Sequence, residues 1–271
     1  MTFAAPAESY DRYMGRYSRR LAPLFADLAA VRPGTRALDV GCGPGALTQC
    51  LAERVGAERV AASDPSQQFV EACATRVAGA DVRRARAEEL PWADRTFDAV
   101  LAQLVINFVD DPPRAVTEMR RVGRDRAVVA ACTWDYGGEM EMLRVFWDSA
   151  LALDADAPAE GKRMRFGNPE ELRSLWLDAG LAEVLTDALE VAERYESFDD
   201  YWEPFTAGVG PGGAYCASLP PDAQEELREE CRRRLGDPAG AFELPARAWA
   251  IRGRSELWAG DHPPGLDFNR G

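Results

Sequence analysis

Arg36-Ala-Leu-Asp-Val-Gly-Cys-Gly-Pro-Gly-Ala-Leu-Thr48 is the stretch that decides the fold. Its apolar beginning ends in three glycines separated by single residues, Gly41, Gly43 and Gly45, and a segment with apolar residues at helical spacing follows. This order predicts a strand, a tight turn and a helix. Glycines let the backbone approach a ligand closely, and a helix start offers unpaired N–H groups. The stretch therefore predicts a nucleotide-binding turn.

The flanking sequence extends this unit into an α/β fold. Alternating strand and helix patterns predict a doubly wound, seven-stranded, mostly parallel sheet of Rossmann-like type, with helical insertions that form a cap. The expected segments are an N-terminal lid helix (1–34), a cofactor-binding α/β core (35–134), a helical insertion (135–166), a core helix and strand (167–196), a helical cap insertion (197–241), a last strand (242–254) and a tail (255–271).

Composition limits the classes of partner. The 271 residues carry a net charge of −13, which argues against duplex nucleic acid and anionic membranes as ligands. Six cysteines without a C-x-x-C pair, together with the single histidine His262, argue against a metal site. No apolar run reaches membrane-spanning length and no leader is evident, so we expect a cytoplasmic monomer or homodimer that acts on a small molecule.

Two kinds of nucleotide fit the glycine turn. Gly41 to Ala46 satisfies the dinucleotide pattern G-x-G-x-x-[GA], and Asp64 stands where a ribose-binding acid is expected, which predicts a nicotinamide-dependent oxidoreductase. Asp39 lies two residues before the first glycine, where dinucleotide-binding strands are usually apolar. An acid at this position favours a ligand with a positive centre, although it could also bond the turn's own N–H groups.

Four separated motifs make residues 35–134 resemble the class I S-adenosylmethionine-dependent methyltransferases. The first motif is Asp39-Val-Gly-Cys-Gly-Pro-Gly45, and the second is Asp64 at the end of the next strand. The third is Ala87 to Asp98, which is similar to the family's A-E-x-L-P-F-x-D-x-x-F-D segment, and the fourth is Gln103 to Phe108 after strand four. The resemblance implies S-adenosylmethionine as cofactor and S-adenosylhomocysteine as product.

The resemblance also implies a set of cofactor-binding residues. The turn would contribute Asp39, Gly41, Cys42 and Gly43; the second strand's end Asp64, Pro65 and Ser66; the adenine edge Ala87 and Glu88; and the fourth strand's exit Gln103, Leu104 and Asn107. The segment Tyr10 to Ser18 resembles a lid of the quinone-biosynthesis C-methyltransferase branch, so Tyr10, Met14 and Arg16 are expected to cover the cofactor. Two positions depart from many relatives, which carry Asp at Arg86 and His at Asn107.

The acceptor has no motif of its own. Apolar, aromatic-rich insertions at 136–166 and 197–240 predict a small, partly apolar acceptor with an O, N or C nucleophile, methylated by in-line displacement mainly through positioning. Where a base is needed, Tyr136, Glu139 and Glu141 are the candidates. A non-enzymatic regulatory protein that binds S-adenosylmethionine remains an alternative.

Overall fold

The computed structural model describes residues 7–162 and 164–255, so the predicted tail from 256 onward, with His262, lies outside the described residues. One sheet organises the described chain. Its strands are β1 (Ala37–Val40), β2 (Val60–Asp64), β3 (Asp81–Arg84), β4 (Phe97–Gln103), β5 (Gly123–Trp134), β6 (Leu181–Tyr195) and β7 (Phe242–Ser255).

The strand order is β3-β2-β1-β4-β5-β7-β6. Strands β1 to β5 pair in parallel, and β7 runs antiparallel between β5 and β6. The order reverses at β1, which is the switch point where open α/β sheets bind ligands at the carboxyl ends of their strands. This architecture confirms the predicted seven-stranded, mostly parallel α/β sheet.

Helices cover both faces of the sheet and build the cap. They are α1 (Ala7–Tyr10), a π-helical turn (Asp11–Gly15), α2 (Arg16–Leu28), α3 (Ala46–Val55), a 3-10 helix (Ala57–Arg59), α4 (Gln67–Arg76), α5 (Pro112–Val122), α6 (Glu141–Leu153), a second 3-10 helix (Glu160–Lys162), α7 (Pro169–Asp178), α8 (Phe198–Thr206), α9 (Gly210–Ser218) and α10 (Pro221–Arg234). No helix among these described residues is long and apolar enough to span a bilayer.

Local sequence explains several helix starts. Asn168 accepts a hydrogen bond from the backbone N–H of Glu171 at 3.0 Å, and Pro169 occupies the first helical position of α7. Ser197 caps α8 in the same way through the N–H of Asp200. Each cap satisfies one of the unpaired N–H groups of its first turn, so the start of each helix is marked by its own sequence.

The cap is an aromatic cluster. Phe146 of α6 stacks on Phe205 of α8 with ring centroids 4.2 Å apart and an interplanar angle of 5°. Tyr13 of the π-helical turn meets the same Phe205 edge to face. This packing joins the N-terminal helices to both insertions. Among the described residues of the 135–166 insertion, α6 and the short 3-10 helix are the helical parts.

Candidate functional site

A cavity of about 330 Å³ opens at the carboxyl ends of β1, β2 and β4. Strand ends and the N-terminal helices both contribute to its wall. Its lining comprises Tyr10, Asp11, Ser18, Asp39, Gly41, Cys42, Gly43, Pro44, Ala46, Leu47, Asp64, Pro65, Ser66, Phe69, Arg86, Ala87, Glu88, Gln103, Leu104, Val105, Phe108, Val109 and Asp110. The volume is within the range of a small-molecule or cofactor site.

The glycine turn forms one side of this cavity. Gly41 has a φ of +73°, and an ideal Cβ on it would lie 2.5 Å from both methyl carbons of Val105. The N–H groups of Gly41 and Cys42 donate to the carbonyl of Ser63 at 2.7 and 2.9 Å. Only glycine fits this left-handed backbone and this close approach to Val105.

Asp64 is held by the backbone at the end of β2. Its Oδ2 accepts from the N–H of Gly43 at 3.0 Å, and its Oδ1 accepts from the N–H of Ser66 at 2.8 Å. Burial raises the pKa of this carboxyl, and the two backbone hydrogen bonds oppose the rise. Each carboxylate oxygen keeps a lone pair that can accept a further hydrogen bond, and the two hydroxyls of a ribose can donate such bonds.

Asp39 lies deeper, at the end of β1. It is 1% exposed, and its Oδ2 accepts from the hydroxyl of Thr48 on α3 at 2.7 Å. Burial raises the pKa of Asp39 to about 7. No lysine, arginine or histidine within the described residues pairs with it. A cationic ligand group at the cavity would compensate this buried acid.

Gln103 supplies a second acceptor at the same wall. Its Nε2 donates to the carbonyl of Ser18 at 3.1 Å, while its Oε1 is buried with no hydrogen-bond partner among the described residues. An orphaned buried oxygen beside a buried carboxylate matches the needs of an amino group. The amino-acid end of S-adenosylmethionine carries such a group, so the residues present fit this cofactor.

The opposite end of the cavity is closed by the loops after β3 and β4. The Oε1 of Glu88 accepts from the N–H groups of Asp110 and Asp111 at 2.9 and 3.2 Å and thereby ties these loops together. Arg86 pairs with Asp110 at 2.5 Å on the rim. Arg86 therefore acts at the rim, where many relatives of the resembled family carry an acid.

A smaller chamber of about 30 Å³ adjoins this cavity and shares part of its wall. The shared residues are Tyr10, Leu104 and Phe108. The remaining lining residues are Tyr13, Met14, Trp134, Tyr136, Glu160, Gly210 and Pro211. The chamber is thus reached from a cofactor-sized space and is walled by the N-terminal helices, the end of β5 and the insertions.

The chamber contains unusual polar groups for its aromatic wall. The hydroxyl of Tyr13 is buried without a hydrogen-bond partner among the described residues. The hydroxyl of Tyr136 accepts a long hydrogen bond, 3.5 Å, from Nδ2 of Asn107. Glu160 accepts from Nε1 of Trp147 at 3.1 Å, and burial raises the pKa of this carboxyl to about 7. The chamber therefore combines aromatic surface with a poorly compensated acid.

Most of the residues expected at the cofactor lie on the larger cavity. They are Tyr10, Asp39, Gly41, Cys42, Gly43, Asp64, Pro65, Ser66, Ala87, Glu88, Gln103 and Leu104. Met14, which was expected at the cofactor, lines the smaller chamber instead, and so does the candidate base Tyr136. Asn107 lies beside the chamber, where its amide contacts Tyr136.

Besides Asn107, three expected residues are not on either wall. Arg16 pairs with Asp200 at 3.1 Å and lies over the ring of Tyr195, because its position on α2 faces α8 and β6. Glu139 lies 3.9 Å from Arg247 and is mostly exposed. Glu141 pairs with Arg144 along α6. The structure therefore does not support cofactor contact for Arg16 or a base at either glutamate.

Several lining residues carry no recognisable signal in the sequence. Tyr13 and Trp134 look like ordinary core aromatics, and Glu160 lies in the polar stretch Ala157-Pro-Ala-Glu-Gly-Lys162. Phe69 reads as an inward residue of α4. Their part in the site comes from tertiary packing, so a single sequence could not have identified them.

Comparison with known proteins provides evidence that is independent of the geometry. Residues 38–131 match the family model described as a methyltransferase domain. An uncharacterised protein of Mycobacterium tuberculosis is 29% identical over 240 residues, which cover 82% of this chain and 84% of the relative. A malonyl-[acyl-carrier protein] O-methyltransferase of Pseudescherichia vulneris is 31% identical over 140 residues, which cover 52% and 55% of the two chains.

A transposon protein of Streptomyces fradiae, uncharacterised, is 35% identical over 141 residues. These cover 51% of this chain, and the chain spans only 37% of that relative's length. Similarity to these two curated relatives is therefore confined to about half of this chain.

Solved structures share the fold over nearly the whole chain. A protein from an antibiotic biosynthesis pathway of Anabaena variabilis superposes with a TM-score of 0.60 at 18% identity, covering 86% of this chain and 96% of that one. The [4+2]-cyclase SpnF superposes with a TM-score of 0.53 at 20% identity, covering 89% and 81%. At these identities the likeness shows the fold alone.

The sheet order, the glycine turn, the two buried acids and the domain match over residues 38–131 agree with one another. S-adenosylmethionine is the methyl donor of the family that combines these features. Residues 38–131 therefore form a methyltransferase domain, and the chain around them has the fold of solved methyltransferases.

Proposed function

We propose that this protein transfers a methyl group from S-adenosylmethionine to a small, partly apolar acceptor. The observation that carries the proposal is the smaller chamber, which adjoins the cofactor cavity through Tyr10, Leu104 and Phe108. When bound, the cofactor supplies an electrophilic methyl group, whose bond to sulfur breaks as the acceptor's bond to carbon forms, with the electron pair left on sulfur.

The residues that would hold the cofactor divide by chemistry. Asp64 offers two carboxylate oxygens to ribose hydroxyls, and Asp39 with Gln103 offers oxygens to the amino group. Ala87 and Glu88 would border the adenine ring at the other end. These contacts fix the cofactor between strand ends that are rigidly paired in the sheet, so its reactive end is positioned by the core.

The acceptor's reactive atom would occupy the chamber. Trp134 and Tyr136 wall it from the end of β5, and Met14 is held there by a hydrogen bond from Nε1 of Trp134 to its sulfur at 3.0 Å. A chamber of about 30 Å³ has room for roughly two water-sized groups. Catalysis would then rest mainly on positioning.

The chamber favours an enzyme over a regulatory protein that only binds the cofactor. Such a protein has no need for buried polar groups beside the cofactor, whereas here Tyr13 and Asn107 keep unpartnered oxygens within or next to the chamber. The acidic net charge supports a small molecule rather than nucleic acid as the acceptor.

Calorimetry with S-adenosylhomocysteine and NAD tests the proposal. We expect S-adenosylhomocysteine to bind and NAD not to bind. In Asp64→Asn the affinity for S-adenosylhomocysteine should fall at least tenfold, because the amide replaces one of the two accepting oxygens with an NH2 group that cannot accept a hydrogen bond. Asp94→Asn is the control, since this side chain is 72% exposed and pairs only with Arg121 at the surface. Binding of NAD in place of S-adenosylhomocysteine would refute the proposal.

A further inference from the structure

Glu160 is a buried acid with little compensation. It is 5% exposed and lies in the 3-10 helix between α6 and α7. Its hydrogen bond from Nε1 of Trp147 is neutral, and no lysine or arginine of the described residues forms an ion pair with it. A buried carboxylate is normally paired, because an isolated charge is costly in an apolar environment. A cationic group of a ligand in the chamber would compensate this carboxylate.

The position of Glu160 is built into the backbone. An ideal Cβ on the next residue, Gly161, would lie 2.7 Å from the carbonyl oxygen of Tyr136. Glycine at this position lets the 3-10 helix press against the segment after β5, and that contact brings Glu160 to the chamber wall beside Tyr136. A solvated loop carboxylate would not need this close approach.

The other chamber groups have the same electrostatic character. Tyr10, Tyr13, Phe108, Trp134 and Tyr136 present aromatic surface, whose π-faces attract cations. Among the described residues that line the chamber, none carries a positive charge. A carboxylate within an aromatic wall selects a cation and disfavours an anion.

We propose that the chamber binds the protonated amine of the acceptor, that Glu160 is the carboxylate that pairs with it, and that the same carboxylate then takes one of its protons. The acceptor would be a primary or secondary amine attached to a small, partly apolar body. This inference rests on the proposed methyltransferase function and specifies its acceptor class.

The proton step balances within the chamber. One N–H bond of the ammonium breaks, its electron pair stays on nitrogen as the nucleophilic lone pair, and the proton forms an O–H bond with a carboxylate oxygen of Glu160. The acid becomes neutral and the amine becomes neutral, so no net charge is created in the buried space. The carboxyl group of Glu160 then gives this proton to solvent.

The ionisation of Glu160 suits this role near neutral pH. Burial raises its pKa to about 7, and the hydrogen bond from Trp147 of α6 opposes the rise. The facing groups are Tyr13 of the π-helical turn and Tyr136 after β5. Burial raises the pKa of both tyrosines far above 10, and the charge of Glu160 adds to the rise. Glu160 is therefore the chamber group that titrates between pH 6 and 8.

Calorimetry on the full chain saturated with S-adenosylhomocysteine tests the inference with matched probes. The amines are methylamine, benzylamine and phenethylamine, and each is compared with its alcohol and its carboxylic acid. We expect at least one amine to bind at least tenfold more tightly than its alcohol, and the acids to bind most weakly. The inference is overturned when no amine exceeds its alcohol.

Glu160→Gln distinguishes pairing from a structural role. We expect the amine's affinity to fall at least tenfold while that of the matched alcohol changes less than twofold. In the unaltered protein the amine's affinity should rise about tenfold between pH 6 and 8, and in Glu160→Gln it should stay flat, because the amide cannot titrate. Glu139→Gln, at an exposed acid near Arg247, is the control.

Affinity for S-adenosylhomocysteine separates the two levels of the proposal. It should be unchanged in Glu160→Gln, which also shows that the variant is folded. Loss of S-adenosylhomocysteine binding in the unaltered protein would refute the methyltransferase function itself. An unchanged amine preference in Glu160→Gln, with the cofactor bound normally, would refute only the role of Glu160.

Discussion

The cofactor cavity and the chamber beside it are built in different ways. The cavity draws its key groups from consecutive residues at strand ends, such as Asp39 to Gly43 and Asp64 to Ser66. The chamber collects Tyr13, Trp134 and Glu160 from three segments far apart in the chain. The cavity is therefore formed mainly by residues that are close in sequence, whereas the chamber forms only after the cap has packed.

The cavity and the chamber also differ in the interactions that stabilise them. The cavity is held by backbone hydrogen bonds, including those from the turn to Ser63 and from Gly43 to Asp64. The chamber is supported by ring contacts such as Phe146 on Phe205. We therefore expect substitutions in the cap to reduce stability with little effect on cofactor affinity, and substitutions in the turn to affect both.

The largest expected effect comes from Phe205→Ala. Phe205 is fully buried between Phe146 and Tyr13, so its removal leaves a cavity and should lower the free energy of unfolding by about 3–5 kcal/mol. Affinity for S-adenosylhomocysteine should change less than threefold when measured where the variant is folded. Chemical denaturation and calorimetry provide the two values.

Phe205→Leu is the matched control for that change. It keeps most of the buried volume and removes only the ring geometry, so the expected loss is about 1 kcal/mol. A large loss of cofactor affinity in either variant would show that the two halves are coupled, which would break the comparison.

Gly41→Ala is expected to reduce both the stability of the protein and its affinity for S-adenosylhomocysteine. The new Cβ would collide with Val105 in a left-handed backbone, so unfolding free energy should fall by about 3 kcal/mol and S-adenosylhomocysteine affinity at least tenfold. Gly34→Ala is the control, because Gly34 has a φ of +94° with nothing within 4 Å of its Cβ position. There we expect about 1 kcal/mol and no change in affinity. Equal behaviour of the two variants would contradict the collision.

The smallest expected effect on stability has the opposite sign. Burial raises the pKa of Asp39 in the folded state to about 7 from 3.8. The folded state therefore keeps this proton to a higher pH than the unfolded state does, and the protein loses stability as the pH rises from about 4 to 7. Asp39→Asn removes this loss. Relative to the unaltered protein, the variant should gain on the order of 2 kcal/mol between pH 5 and 8.

The same substitution should weaken S-adenosylhomocysteine about tenfold, because the amino group loses a carboxylate partner. Denaturation at pH 5 and pH 8 measures the stability difference, with Asp94→Asn as a surface control that should show no such pH dependence. A difference between Asp39→Asn and the unaltered protein that stays constant with pH would mean that Asp39 is ionised throughout.

The sequence predicted the sheet and most of the cavity because both depend on short-range pattern. Buried strands such as Ala37–Val40 lie next to glycines, and the four motifs follow one another in the order and spacing of the resembled family. Arg16 was misplaced because side-chain direction on α2 depends on its packing against α8. Glu160 was missed because its burial follows from Gly161 against Tyr136, a contact between residues whose proximity no periodicity encodes.

The pairing of β6 with β7 has a consequence for how this molecule could diversify. Tyr195 and Phe242 are cross-strand neighbours, so α8, α9 and α10 leave the sheet and return to it at one point. The excursion is topologically the loop of a long hairpin, and hairpin loops change length without shifting the strands that flank them. Exchange of this single loop between related chains would therefore replace Gly210 and Pro211 in the chamber wall and leave the parallel strands around the cofactor cavity unchanged.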